Sequence, residues 1–272
     1  MKILYLSDLD WTLLGPNERV SSRTANIVNR LIKEGGCFSY ATARSLLTAK
    51  KVTAGLDVQL PVICYNGAFI FDSASKEILL ANYFSPDKVG EIRKASNTHG
   101  LLPLVYSFLD GEERFSVILR DMSAGLRIFL DARKNDPRRR EVTREDELYV
   151  GDIFYFTFMG DKGRLDPLYA QYKDDEDVNC LLQKDIYIGA HLLEIMPKKA
   201  TKANAALRLK EMLGCDRLVV FGDGLNDMSL FLAADECYAV ENAVPELKEI
   251  ATAVIGSNDS EGVATWLERN VL

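Results

Sequence analysis

The chain has 272 residues, 40 acidic against 33 basic side chains for a formal net charge of −7, and 47% hydrophobic residues. This length predicts one large or two modest domains, and the ordinary composition excludes a disordered, collagenous or disulfide-dense protein. The acidic balance argues against a nucleic-acid partner, and no run of about 18 apolar residues suits a membrane span. The five cysteines lack metal or redox spacing, so we expect free thiols and a cytoplasmic location.

The two ends of the chain alternate short apolar runs with helical patterns. The runs predicted as buried strands are 3–7, 37–42, 61–65, 217–223, 237–240 and 253–255. Continuous apolar strands joined by helices are typical of a parallel sheet covered on both faces. We therefore predict an α/β protein whose core is a Rossmann-like, doubly wound parallel sheet, built from residues 1–82 and 191–272.

The middle of the chain, residues 83–190, has a different pattern. After a predicted hairpin at 69–84, alternating apolar and polar strands mix with helices, which predicts an inserted α+β cap domain with an antiparallel sheet. The stripe of Phe154, Phe156 and Phe158 has strand period and is expected in the sheet core. The basic run 138–140 and the acidic run 174–177 are expected on the solvated surface.

Two acidic motifs each follow a predicted buried strand. Asp8 and Asp10 are two residues apart after the first strand, a spacing that places strand side chains on one side. Asp223 and Asp227 follow the strand 217–223. Taken alone, the first motif is also typical of a turn, and Asp227 of a helix N-cap. Because parallel strands end at one edge of a sheet, the four carboxylates together predict a site for a hard divalent ion, Mg²⁺ first.

Two further features are suited to an anion. Thr42, Ala43 and Arg44 stand between a strand and a predicted helix, where a hydroxyl and backbone N–H groups can hold an anion, although a simple Thr N-cap explains the same pattern. Lys202 is the first residue of another predicted helix. A lysine there is unfavourable because its positive charge opposes the helix dipole, but it becomes favourable beside a bound phosphate. Carboxylates for a metal, groups for an anion and a spare carboxylate are what phosphoryl transfer requires.

These motifs occur in an order that resembles a known family. Segments 8–14, 41–44 and 222–227, with Lys202 between the last two, are similar to those of Cof-like phosphatases of the haloacid dehalogenase superfamily, the branch with a large α/β cap. The segment 66–68 (NGA) and the tail, Asn258 with 261–264, support the resemblance.

The resemblance implies a role for each motif residue. Asp8 would be the nucleophile that becomes phosphorylated, and Asp10 the general acid and then the general base. The implied Mg²⁺ ligands are Asp8, the backbone carbonyl of Asp10 and Asp223, with Asp227 nearby. The implied phosphate contacts are Thr42, Ala43, Arg44, Lys202 and Asn226.

The sequence departs from the family at two positions that usually hold glycine. Trp11 places a large ring beside the nucleophile and would be strained by a positive φ, whereas Ala43 restricts backbone approach to the phosphate. We expect both to be tolerated, with a narrower site.

The leading hypothesis is a Mg²⁺-dependent phosphatase acting on small phosphomonoesters, with sugar phosphates before pyridoxal phosphate, flavin mononucleotide and nucleotides. A phosphomutase that uses the same aspartyl phosphate and a weakly active phosphometabolite-binding protein are the alternatives. A dehalogenase is disfavoured, because Asp10 suits protonation of an oxygen leaving group. We expect a monomer or weak homodimer, with neither a nucleic-acid nor a membrane partner.

Overall fold

The structure, a computed structural model, describes residues 1–120, 122–184 and 189–272. Within these ranges the chain forms nine α-helices and fourteen β-strands. The helices are α1 (Ser22–Lys33), α2 (Leu46–Val52), α3 (Pro86–Thr98), α4 (Ala124–Asp131), α5 (Lys162–Tyr172), α6 (Lys202–Met212), α7 (Met228–Ala233), α8 (Pro245–Ile250) and α9 (Gly262–Asn270). The strands are β1 (Ile3–Ser7), β2 (Cys37–Tyr40), β3 (Val62–Cys64), β4 (Phe69–Phe71), β5 (Ile78–Ala81), β6 (Leu104–Leu109), β7 (Glu112–Ile118), β8 (Arg139–Val142), β9 (Asp152–Gly160), β10 (Val178–Lys184), β11 (His191–Pro197), β12 (Arg217–Gly222), β13 (Glu236–Val240) and β14 (Ala253–Ile255).

The chain divides into two compact units. The first, the core unit, consists of Met1–Ala81 and Ala200–Leu272, and the second, the cap unit, is the continuous segment Asn82–Lys199. Each has its own sheet system, which agrees with the predicted α/β fold class.

The core unit contains a five-stranded parallel sheet in the order β14-β13-β12-β1-β2. Strand β1 lies between β12 and β2, and its Leu4 and Leu6 are fully buried, as expected for a strand covered on both faces. On one face Trp266 of α9 packs against Tyr5, Phe221 and Tyr238, with ring centroids 4.3–6.4 Å apart. Because β1 pairs in parallel with both β2 and β12, the carboxyl ends of these three strands meet at one edge of the sheet.

A small antiparallel sheet, β3-β4-β5, also belongs to the core unit. It includes the predicted hairpin, and a bridge between Ala41 and Ile63 ties it to the end of β2. This bridge brings the loop after β3 to the edge of the parallel sheet where the acidic motifs lie.

The cap unit contains a six-stranded sheet in the order β10-β11-β9-β6-β7-β8, antiparallel except for the parallel β7–β8 pair. Phe154, Phe156 and Phe158 are at most 1% exposed, which confirms their predicted place in the sheet core. Leu165 and Leu168 of α5 are fully buried in the same hydrophobic cluster as Phe156, so helices cover one face of this sheet.

Two expectations about the insert are wrong. Its predicted end at residue 190 is too early, because β11 pairs with both β9 and β10 and the unit continues to Lys199. The basic run is not uniformly solvated: Arg138 is 7% exposed and contacts Asp136 and Glu113 at 2.6 Å. Positions 121 and 185–188 of the predicted insert lie outside the described residues.

Among the helices that the structure describes, none is both long and apolar enough to cross a bilayer. All five cysteines are free thiols.

Candidate active site

Three carboxyl groups meet at the carboxyl edge of the parallel sheet. One oxygen atom from each of Asp8, Asp223 and Asp227 lies within 4.8 Å of the others. The Asp8 backbone N–H donates to the Phe221 carbonyl at 2.9 Å, which extends the β1–β12 pairing by one residue and brings the two motifs together. The structure thus joins three of the four acidic residues that the sequence singled out.

Lys202 lies among these carboxylates. Its side chain is fully buried, and Nζ donates to Asp8 Oδ1 at 2.6 Å and to Asp227 Oδ1 at 2.7 Å. Helix α6 begins at Lys202, as the sequence predicts, and Thr201 is its N-cap. Burial opposes the charge of Lys202, but the two carboxylates outweigh burial and hold its pKa above the usual value.

The charges of this cluster do not balance. When ionised, three carboxylates against one ammonium leave two negative charges uncompensated. Burial above all raises the pKa of Asp8, and the neighbouring carboxylates reinforce that rise against the attraction of Lys202. Burial and then Asp227 raise the pKa of Asp223 to about 7. Such a group needs a shared proton or a cation, and its all-oxygen donor set and two excess charges fit Mg²⁺.

The loop after β12 is organised by Asp227. Its Oδ1 accepts from Lys202, and its Oδ2 accepts from the backbone N–H groups of Asp223 and Gly224, both at 3.1 Å. Glycine at position 222 allows this approach, because a Cβ there would lie 2.7 Å from Asp227 Oδ2. Asp227 is therefore not the side-chain N-cap of α7, and both of its oxygens are engaged within the protein.

Thr12 holds Asp223 from the opposite motif. Its Oγ1 donates to Asp223 Oδ1 at 2.9 Å, and it is 1% exposed. Thr12 lies within the segment 8–14 that the sequence analysis singled out, but no function was predicted for it.

Asp10 lies outside the carboxylate cluster and is paired with Arg44. The Nε atom of Arg44 donates to Asp10 Oδ2 at 2.8 Å, and Nη2 donates to Oδ1 at 2.5 Å. Nη2 also contacts Glu18 Oε2 at 3.1 Å. Burial opposes the Arg44 charge, but the hydrogen bonds and attraction of both carboxylates hold the Arg44 pKa above its usual value. Arg44, predicted as a phosphate contact, binds the carboxylates of Asp10 and Glu18 in this structure.

The loop that contains Thr42 differs from the expected helix start. The Thr42 N–H donates to the Ile63 carbonyl at 3.0 Å, and its Oγ1 accepts from the Arg44 N–H at 3.1 Å. Helix α2 begins only at Leu46, with Ser45 as its N-cap. A turn closed by Thr42 Oγ1 and the Arg44 N–H, rather than a helix terminus, therefore follows β2.

A short loop after β3 connects the other site loops. Tyr65, Asn66 and Gly67 have φ values of 52°, 52° and 96°. The Asn66 N–H donates to the Thr42 carbonyl at 3.0 Å, and Asn66 Oδ1 accepts from Asn226 Nδ2 at 3.1 Å. The expected phosphate ligand Asn226 is thus positioned by Asn66, which sequence reasoning noted only as part of a resemblance.

Trp11 adopts the left-handed conformation that glycine would favour, with φ 58°. Its carbonyl accepts from Asn242 Nδ2 at 2.8 Å. The Asn258 N–H donates to Asn242 Oδ1 at 3.0 Å, and Asn258 Nδ2 donates to the Leu14 carbonyl at 3.0 Å. The tail residue Asn258 therefore holds the loop that follows Asp8 and Asp10.

Known proteins resemble this chain in sequence and in fold. The sequence profile of haloacid dehalogenase-like hydrolases matches residues 5–267. The chain is 26% identical to the 5-amino-6-(5-phospho-D-ribitylamino)uracil phosphatase YwtE of Bacillus subtilis (strain 168), over 96% of each chain. It is also 26% identical to Phosphatase YwpJ of the same organism, over 98% of this chain and 99% of that relative.

A solved haloacid dehalogenase-like hydrolase from B. subtilis has the same fold. It superposes with a TM-score of 0.81 at 22% identity and covers 100% of both chains. With a family profile that spans nearly the whole sequence and relatives named as phosphatases, the chain belongs to the haloacid dehalogenase-like hydrolase family, in its Cof-like branch.

Proposed function

We propose that this protein is a Mg²⁺-dependent phosphatase that hydrolyses small phosphomonoesters through an aspartyl-phosphate intermediate. The observation that carries the proposal is the buried cluster of three carboxyl groups with a single ammonium, in which Lys202 contacts Asp8. An anionic ester approaching this cluster is repelled unless a divalent cation is present. The cluster therefore supports phosphoryl transfer with a bound metal.

Asp8 and Asp10 divide the covalent chemistry between them. A carboxylate oxygen of Asp8 attacks phosphorus, the bond from phosphorus to the ester oxygen breaks, and Asp10 donates a proton to that oxygen. Water then attacks the phosphorus of the acyl phosphate while Asp10 takes a proton from it. Inorganic phosphate leaves and the Asp8 carboxylate is restored.

Other residues of the edge would bind the phosphoryl group. Lys202 supplies positive charge beside Asp8, and Thr42, Ala43 and Asn226 supply hydrogen-bonding groups on adjoining loops. Such contacts act by holding phosphorus in line with the nucleophile.

Asp8, Asp223 and the Asp10 backbone carbonyl would hold Mg²⁺, with Asp227 supporting from nearby. The bound ion would neutralise phosphate oxygens and the excess charge of the cluster. Thr12 and the backbone N–H groups that hold Asp227 keep these oxygens in place.

The proposed substrates are sugar and polyol phosphates. The name of YwtE specifies a phosphate ester on a ribityl chain, which is a polyol phosphate, and this supports testing that class first. The free thiols suit a reducing cytoplasm, and the proposed assembly is a monomer or weak homodimer.

Phosphate release from a panel of sugar, polyol, nucleotide, pyridoxal and flavin phosphomonoesters tests the function. We expect release that requires Mg²⁺ and is abolished in Asp8→Asn. Transfer of the phosphoryl group within the substrate, without release, would identify a phosphomutase instead. Binding of these esters without turnover would identify a phosphometabolite-binding protein and contradict the proposal.

A further inference from the structure

The candidate acid Asp10 is held by two contacts in a fixed orientation. Both carboxylate oxygens accept from Arg44, at 2.8 Å from Nε and 2.5 Å from Nη2. A planar guanidinium that contacts both oxygens fixes the direction of the carboxylate as well as its charge. The Asp10 side chain is 26% exposed and that of Arg44 is 19% exposed, so the pair is partly shielded from water.

A third residue, Glu18, shares the same guanidinium. Its Oε2 lies 3.1 Å from Arg44 Nη2, the atom that also contacts Asp10 Oδ1. One cation therefore lies between two carboxylates. The backbone of Arg44 is fixed as well, since its N–H donates to Thr42 Oγ1 and its carbonyl accepts from the Tyr65 N–H.

The conformation of Glu18 is unusual for a glutamate. It lies in a turn in which its N–H donates to the Gly15 carbonyl at 3.0 Å, and its φ is 56°. A left-handed backbone disfavours side chains other than Asn and Gly. Glutamate is therefore not favoured by the backbone conformation of this turn. Its carboxylate is what forms the ion pair with Arg44.

To protonate the leaving group, Asp10 must break its contacts with Arg44 and reach the ester oxygen. When it turns, the guanidinium keeps a partner only if a second carboxylate remains in contact. We propose that Glu18 and Arg44 form a positioning pair for Asp10. Arg44 orients Asp10 between turnovers, and Glu18 retains Arg44 when Asp10 turns to the substrate. This inference rests on the proposed role of Asp10 as general acid.

The test compares two substrates with different leaving groups. Nitrophenolate leaves without a proton, so 4-nitrophenyl phosphate needs little help from an acid, whereas phenyl phosphate needs more. We expect Glu18→Gln to lower kcat/KM for phenyl phosphate by about tenfold and to leave 4-nitrophenyl phosphate within about twofold. Glu18→Asp, which keeps the charge, should restore part of the loss.

The matched control is Glu34→Gln, which breaks the exposed pair with Arg30 at 2.8 Å. It should leave both substrates unchanged. A purely structural role of Glu18 would lower both substrates equally, and this result, or no change in either, would overturn the inference. If phosphate release does not depend on Asp8, the proposed function itself fails, whereas Asp8-dependent release without a leaving-group effect of Glu18→Gln overturns only the positioning pair.

Discussion

At the scale of single residues, the protonation of Asp223 is expected to control metal binding. Burial and Asp227 raise its pKa to about 7, and a carboxylate must lose its proton to bind a cation. Protons therefore compete with Mg²⁺ below pH 7. We expect the Mg²⁺ affinity to fall by about tenfold per pH unit below pH 7 and to change little above pH 8.

Isothermal titration calorimetry at pH 6, 7 and 8, in buffers with different ionisation enthalpies, measures both affinity and proton release. Asp216→Asn is the matched control, because Asp216 lies at the other end of β12 and accepts from the Lys2 backbone N–H. The control should keep the pH dependence of the native protein. An affinity that does not change from pH 6 to pH 8 would show that Asp223 does not titrate in this range.

Single residues also show how far sequence reasoning reaches. Asp8, Asp223 and Lys202 could be predicted because each directly follows a strand or opens a helix, so the fold itself brings them to one edge. Glu18 could not, because its contact with Arg44 depends on a left-handed turn that no nearby sequence signal marks. The contact of Arg44 with Asp10 was not predicted either, because spacing along the chain does not show which anion a long side chain reaches.

At the scale of elements, the loop 65–67 is expected to set the position of Lys202. A Cβ on Gly67 would lie 2.1 Å from the Thr201 carbonyl oxygen, and its φ is 96°. Gly67→Ala must therefore displace the start of α6. We expect it to lower the free energy of unfolding by about 3 kcal/mol or more and to abolish the proposed phosphatase activity.

Gly214→Ala is the control for backbone strain alone, because it displaces no neighbouring element. Gly214 also has a positive φ, 59°, but a Cβ there meets nothing within 4 Å. This control should lose only about 1 kcal/mol and keep its activity. Urea unfolding and phosphate release measure both variants, and equal losses in the two would contradict the proposed contact with Thr201.

The stability of the turn before β8, a strand that was not predicted, is expected to depend on pH. Asp136 precedes β8 and accepts from the Arg138 N–H at 3.0 Å, from Nε at 2.9 Å and from Nη2 at 2.6 Å. Burial opposes ionisation, but these bonds outweigh it and lower the pKa of Asp136. A carboxyl group with a lowered folded pKa stabilises the protein above its unfolded pKa, about 3.9, and loses this contribution as the pH falls below it.

Asp136→Asn should therefore destabilise the cap unit by about 2 kcal/mol at pH 7 and by less at pH 3.5. Urea unfolding at both pH values, followed by tyrosine fluorescence, measures the difference. Asp166→Asn, which breaks an exposed pair with Lys162, is the control and should have little effect at either pH. An equal loss at both pH values for Asp136→Asn would rule out an ionic contribution.

Strand pairing explains why β8 and the end of the cap unit were not predicted. The segment RREV of β8 has a single apolar residue, Val142, and becomes a strand only because it pairs with β7. His191–Pro197 is as apolar as the core strands, so its pattern does not reveal that β9 and β10 are its neighbours. Local patterns thus predicted the apolar strands, but neither the polar strand β8 nor the sheet to which β11 belongs.

At the scale of the whole molecule, the two units are expected to respond differently to Mg²⁺. The buried cluster of the cap unit is formed entirely by residues between Ile92 and Ile195, whereas the carboxylates belong to the core unit. A ligand stabilises only the structure that unfolds with its site. At a Mg²⁺ concentration of 100 Kd, the core unit should gain about 2.7 kcal/mol.

Hydrogen exchange measures this difference for each strand. We expect the amides of β1 and β12 that exchange by unfolding to slow by about 100-fold in saturating Mg²⁺, and those of β9 and β11 to keep their rates. Both tryptophans, Trp11 and Trp266, lie in the core unit, so tryptophan fluorescence should report the same shift. Asp223→Asn, which removes a proposed metal ligand, should abolish it. If β9 and β11 slow as much as β1, the two units unfold as one cooperative structure, and the metal site stabilises the cap through the core.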